Sequence, residues 1–179
     1  LRMFASAELP LDLCEESERI TLADEIGVPM GGILPSPTAG TPRFLVVATA
    51  DPGTAALPGT PLQQIQIIKG WIDADGAPQQ QVIDLAGSPR SGEVDPQTCQ
   101  TDGGGRSQLC TVWEDDGWDP AVPSFYYARV LEAPTCRWST RQCNRFGAEA
   151  RPIGCDTTHI QQTVQQRAWS SPIWVEQAG

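Results

Sequence analysis

From Ser124 to Glu132 the chain reads SFYYARVLE, and the alternation in that stretch decides most of what it is able to fold into. Phe125, Tyr127, Arg129 and Leu131 take every second place; Tyr126, Ala128, Val130 and Glu132 take the places between. A period of two, carried by aromatic and β-branched side chains, is the pattern of a strand. Apolar residues occupy both sets of positions, so both faces of this strand are expected to be largely covered. Pro134 withdraws a backbone donor soon afterwards and ends the pairing. Only RAWSSPIWV, Arg167 to Val175, is comparably dense. The two stretches are expected to close one sheet as partners. The excursion of roughly 35 residues between them is far longer than an ordinary strand connection.

Other stretches repeat the strand pattern. Arg43–Ala50 (RFLVVATA) is an almost continuous apolar run. In Leu62–Trp71, Ile65 and Ile67 alternate with Gln64 and Gln66. The turn DADG follows, and Gln79–Ala86 returns as the second arm of a hairpin. Leu1–Ala5 and Leu109–Trp113 supply shorter strands. The 16 prolines and 17 glycines between these runs favour sheets joined by turns over packed helices. The expected fold is all-β, an antiparallel immunoglobulin-like β-sandwich with one short helix after Glu132 and long disulfide-stapled loops. Its core strands are Arg43–Ala50, Ile65–Trp71, Ser124–Glu132 and Trp169–Val175. A length of 179 residues suits a single domain, 1–179. Because the chain opens on LRMFASAELP, with neither Met nor a leader, it is read as a piece of a longer protein.

Charge narrows the partners. The net charge is −10 and Lys69 is the only lysine, which disfavours nucleic acid and anionic membranes. No apolar run approaches the roughly 20 residues a membrane-spanning helix needs. The six cysteines form no C-x-x-C pair and His159 is the only histidine, so a zinc site is not expected. An even cysteine count in such a chain favours disulfides and a periplasmic or extracellular location. Six cysteines allow 15 pairings. The expected set is Cys99–Cys110 and Cys143–Cys155, the shortest loops that do not overlap, with Cys14–Cys136 as the remainder.

Chemistry is sparse. Asp73 and Asp75, and the group Glu114, Asp115, Asp116 and Asp119, read as solvated acidic turns, with surface calcium sites as the alternative. One histidine without G-x-S-x-G does not define a Ser-His-Asp triad. Trp71, Trp113, Trp118, Trp138, Trp169 and Trp174 are either core anchors or a platform for sugars. Between Ala133 and Cys155 there are four arginines against one acid, Glu149. Arg137, Arg141 and Arg145 are spaced by four and are expected to share one helical face, beside a stripe of Trp138 and Phe146. Such a guanidinium row either pairs with the chain's own abundant acids or suits contact with another domain or with an anion.

Five stretches carry a family resemblance: LPLDLC, GVPMGGIL, LQQIQIIKGWIDADG, SFYYARVLEAPTCRWST and VQQRAWSSPIWV. Together they resemble the C-terminal region of an uncharacterised bacterial family, the domain of unknown function 3604. The closing pair is also similar to the end of metallohydrolases built on a polymerase-and-histidinol-phosphatase barrel. The resemblance implies a parent protein with a metal-dependent, amidohydrolase-like barrel upstream, hydrolysing phosphoester or similar ester bonds with a metal-activated water. The family's metal motifs match no position of this sequence. No catalytic or metal residue is carried over, no cofactor is expected in this segment, and a divalent metal belongs to the upstream domain.

Three readings stay open. In the first, the chain is a non-catalytic C-terminal β-sandwich whose partner is its own N-terminal hydrolase barrel. In the second it is an independent glycan- or envelope-binding module. In the third it is an enzyme with an acidic site of its own.

Overall fold

A computed structural model describes residues 1–88, 92–101, 104–156 and 159–177. In chain order the elements are β1 (Arg2–Ser6), α1 (Arg19–Ile26), β2 (Val28–Pro29), β3 (Ile33–Leu34), β4 (Arg43–Thr49), β5 (Leu62–Ile72) and β6 (Pro78–Gly87). They continue with β7 (Gln108–Glu114), β8 (Ser124–Glu132), β9 (Thr135–Cys136), α2 (Trp138–Cys143), β10 (Thr163–Val164), β11 (Arg167–Trp169) and β12 (Ile173–Val175). One sheet has the order β2-β1-β4-β7, the other β3-β12-β8-β5-β6 with β11 also on β8, and β9 pairs with β10 alone. All pairs are antiparallel except β12 with β3. The result is the expected antiparallel sandwich.

Alternation along each strand fills the space between the sheets. Met3 and Ala5, then Phe44, Val46 and Ala48, meet Ile65, Ile67, Tyr126, Ala128, Val130, Ile173 and Val175 in one buried cluster. Phe44 and Tyr126 face each other across the gap with ring centroids 4.3 Å apart. A side chain of this size stabilises the fold by roughly 1.5–3 kcal/mol when fully buried. The GVPMGGIL stretch changes sheets: Val28–Pro29 pairs with β1, and Ile33–Leu34 pairs with β12. Gly31, at φ +93°, takes the left-handed conformation that this crossing needs.

The continuous apolar run of β4 reflects coverage on both faces. Its outward residues Leu45 and Val47 join Phe4, Leu9, Leu13 and Ala23 in a second cluster, roofed by the 3-10 turn Leu13–Glu15 and by α1. The acidic segment before Gly27 thus contains a helix that its polar composition does not announce; a single buried face, Ala23, anchors it.

The larger sheet is different. Both faces of β8 were expected to be largely covered, and the inner one is the more complete: Tyr126, Ala128 and Val130 are buried, whereas on the outer face Leu131 is buried and Phe125, Tyr127 and Arg129 are partly exposed. The expected strand Trp169–Val175 also divides. Between Trp169, opposite Arg129, and Ile173, opposite Tyr126, the outer chain has one residue more than β8. Ser170 fills the break, its N–H donating to the Ala128 carbonyl and its Oγ accepting from the Ala128 N–H, both at 2.9 Å. This bulge leaves both Trp169 and Trp174 on the outer face.

All six cysteines are bonded, but two of the three expected pairs exchange partners. The bonds are Cys14–Cys110, Cys99–Cys136 and Cys143–Cys155; the last is the pair anticipated. Cys110 lies opposite Val47, on the outer face of β7, where the turn carrying Cys14 packs. Cys99 belongs to a loop held against the long excursion, with Asn144 donating to the carbonyls of Pro96 and Gln97. Sheet register therefore overrides chain proximity. The excursion folds as extended pieces and short turns: Gln165 donates to the Glu132 carbonyl and to Gln63, keeping the glutamine-rich segment extended. The beginning of that segment, Thr158, and two positions of TDGGGR, Asp102 and Gly103, lie outside the described residues.

Glu132, at the end of β8, has its carboxyl held above the usual range, first by burial and then by the charge of Asp51. A raised carboxyl pKa means that the folded chain holds this proton more tightly than the unfolded chain. Glu132 therefore costs stability once pH rises through its folded pKa, and costs nothing below the unfolded one. Glu132→Gln is expected to raise the melting temperature at neutral pH and to leave it unchanged below about pH 4. Melting curves at both pH values check this, and an equal gain at both would rule it out.

Candidate functional site

Inward positions on β5 run Ile65, Ile67, Lys69, Trp71, so strand alternation carries the chain's only lysine into the sandwich. Lys69 lies opposite Tyr126 of β8 and Gln81 of β6. Its Nζ donates to Asp115 Oδ2 at 2.6 Å and to the Gly117 carbonyl at 3.3 Å, and sits 5.5 Å from the centre of the Trp71 ring. The same Oδ2 accepts from the Tyr126 hydroxyl at 2.6 Å, and Oδ1 accepts from the Gly117 N–H at 3.1 Å. Ser124 Oγ donates to the Tyr126 oxygen at 3.2 Å. Burial, and after it the bond to Asp115, pushes the Tyr126 hydroxyl far above its ordinary value, which keeps it a donor.

Asp115 is thus a buried, fully partnered carboxylate; it is not part of a solvated turn. Its hydrogen bonds hold the β7–β8 loop over the open end of the sandwich. Both carboxylate oxygens accept hydrogen bonds, two on Oδ2 and one on Oδ1. Glu114, one residue earlier, points the other way and pairs with Arg43 at 3.2 Å while accepting from Thr41.

Beside this network lies a cleft of about 230 Å³, lined by Lys69, Trp71, Gln81, Trp118, Asp119 and Ser124 among others. The indole N–H of Trp118 is buried and has no acceptor among the described residues. The other acidic turn offers less. Asp73 spends its carboxylate on its own hairpin, accepting from the N–H groups of Asp75 and Ala77 and from the Gln79 amide. Those bonds draw its pKa below the usual range, the one from Ala77 most strongly. Among the described residues, no three His, Cys, Asp or Glu side chains converge to hold a metal.

A second feature is the outer face of the larger sheet. Across β3, β12 and β8 run Ile33, Trp174 and Phe125 in register. The Phe125 ring lies over Gly70 of β5 so closely that a Cβ there would come within 2.3 Å of it. Phe125 also contacts Trp174, with centroids 5.2 Å apart, and lies parallel to Tyr127. Ile33 is 55% exposed, Trp174 51% and Trp169 57%; Ile72 and Val82 extend the apolar surface towards β6. One polar row crosses it: Arg129 donates to Gln66, which donates to Asp84.

The whole of this architecture falls under one family model, Protein of unknown function (DUF3604), which matches residues 1–177. The chain belongs to the DUF3604 family. No curated protein and no solved structure gives a match.

In this DUF3604 chain the arginine row is not assembled. α2 spans only Trp138–Cys143, so Arg141 is within it, Arg137 precedes it at the N-cap, and Arg145 follows it. Past Thr140 the backbone hydrogen bonds shorten, Arg145 N–H reaching Gln142 and Phe146 N–H reaching Cys143, so that helical spacing no longer applies. Arg141 donates to Thr135 Oγ1 at 2.8 Å, while Arg137 and Arg145 are exposed. Trp138 and Phe146 do not form a packed stripe either; both are exposed. The helix is held by the Cys143–Cys155 bond and by Thr140, which donates to the Gln162 carbonyl. The sequence names Asp115 only as part of an acidic turn and does not join it to Lys69 and Tyr126. The available signal was a lone lysine at an inward place on an alternating strand.

Proposed function

We propose that this DUF3604 chain is a non-catalytic β-sandwich of a periplasmic or extracellular protein, packing on a metal-dependent hydrolase barrel of the same polypeptide. The observation that carries the proposal is the outer face of the larger sheet. The outer side of β8 is only partly covered within this chain, and around it Ile33, Trp169, Trp174, Ile72 and Val82 are exposed. Exposed apolar side chains grouped on one sheet face, with polar residues among them, are what a domain interface looks like before it is closed. The three disulfides agree with an oxidising compartment. Among the described residues no helix is long and apolar enough to cross a membrane. The alternative role, a glycan- or envelope-binding module, draws on a different feature, the aromatic-walled cleft beside Lys69.

Trp174→Asp separates docking from folding. Trp174 is half-exposed, so in the 179-residue chain the substitution is expected to cost about 1 kcal/mol or less. In a polypeptide that includes the barrel, a buried interface tryptophan is worth about 2 kcal/mol or more. The loss should appear as separate melting of the two bodies and increased hydrogen exchange in β8 and β12. Equal small effects in both contexts would end the proposal.

A further inference from the structure

We propose that the cleft beside Lys69 binds one neutral pyranose ring. Its walls set the chemistry. Trp71 and Trp118 are among the lining residues, and an indole ring is the kind of surface on which the C–H face of a sugar rests. Around them stand groups of both hydrogen-bonding senses: the Gln81 amide, the Ser124 hydroxyl, the Asp119 carboxylate and the Lys69 ammonium. Sugar hydroxyls donate and accept, so they use such a mixed set fully, whereas a purely accepting or purely donating ligand leaves part of it unpaired. Lys69 has three N–H donors; Asp115 and the Gly117 carbonyl take two, and one is left for a ligand.

Charge excludes the neighbouring classes. Asp115, at 2.6 Å, offsets the positive charge of Lys69, and Asp119 adds a negative one to the lining, so an anion gains nothing from entering. A cation attracted to the Trp71 ring would meet Lys69 already placed 5.5 Å from it. Size sets the number of rings. About 230 Å³ is below the roughly 300–1,000 Å³ of clefts that enclose larger ligands, so one ring fits and a chain of rings does not.

Ligand-observed NMR of the 179-residue chain with the methyl glycosides of glucose, galactose and mannose tests this. At least one is expected to give saturable binding in the millimolar range, the weak affinity open to so few heavy atoms. Methyl glucuronide should bind more weakly. Trp71→Ala should abolish the signal, and Gln81→Ala should weaken it about three- to tenfold. Trp174→Ala, on the opposite face of the sheet, should leave it unchanged, which keeps this test independent of the docking proposal. If Trp71→Ala does not fold, the exposed Gln81→Ala decides alone. The proposal is overturned by any of four results: no saturable response to the neutral glycosides, full affinity in Gln81→Ala, loss of binding in Trp174→Ala, or tighter binding of the glucuronide.

Discussion

Replacing Lys69 by methionine is expected to lower the stability of the chain by about 3–5 kcal/mol, because it strands a buried carboxylate. The side chains of Lys69 and Asp115 are only 10% and 7% exposed, so water cannot take over the role of the missing partner. Tyr126 and the Gly117 N–H would still donate to Asp115, but neither carries a charge. For a chain of this size the loss corresponds to a fall of roughly 6–20 °C in melting temperature. The pair Lys69→Met with Asp115→Leu should recover most of it, since well-packed apolar replacements of a buried ion pair are often neutral. Thermal and denaturant melts of the two singles and the double give the coupling directly. A single Lys69→Met variant that melts within about 2 °C of the parent would show the site to be effectively solvated.

The second large effect concerns the bond between Cys14 and Cys110, which closes a loop of sequence separation 96. In the chain-entropy account a loop of that length restricts the unfolded chain by about 4–5 kcal/mol, more than any shorter bridge. Cys14→Ser with Cys110→Ser is therefore expected to be the most damaging of the three paired replacements. Loss of that bond also frees the turn Leu13–Glu15, which covers the outer face of β4 and β7. Denaturant unfolding measures the cost, and non-reducing peptide mapping checks the connectivity first. Fragments joining Cys99 to Cys110 would contradict the arrangement described here. So would a Cys14–Cys110 variant no less stable than one lacking Cys143–Cys155, whose separation is 12.

The face proposed for docking and the cleft are on opposite sides of the same sheet. Phe125 and Tyr127 point outward from β8, and Tyr126 between them points inward to Asp115. One strand thus contributes to both surfaces, and substitutions at successive positions of β8 should separate the two proposed roles.

Much of this was local information. The alternation of Ile65, Ile67, Lys69 and Trp71 already places Lys69 on the same side of its strand as two isoleucines; that Tyr126 lies opposite it comes from the register of β5 with β8. The pairing of β8 with the C-terminal strands and the β5–β6 hairpin were legible for the same reason: the backbone pleat sets side-chain direction residue by residue. What the alternation does not contain is which faces meet a second layer. The outer side of β4 is roofed by α1 and the 3-10 turn, and the outer side of β8 is not, although the two strands look alike in composition. Nor does it contain the partner of Asp115 or of Cys110, each supplied from across the fold. Separation along the chain favoured Cys99 for Cys110, but strand register put Cys110 on the face where Cys14 lies. Direction along a strand is fixed by neighbouring peptide units. Coverage, ion pairing and disulfide choice are fixed by segments tens of residues away, which only their packing brings together.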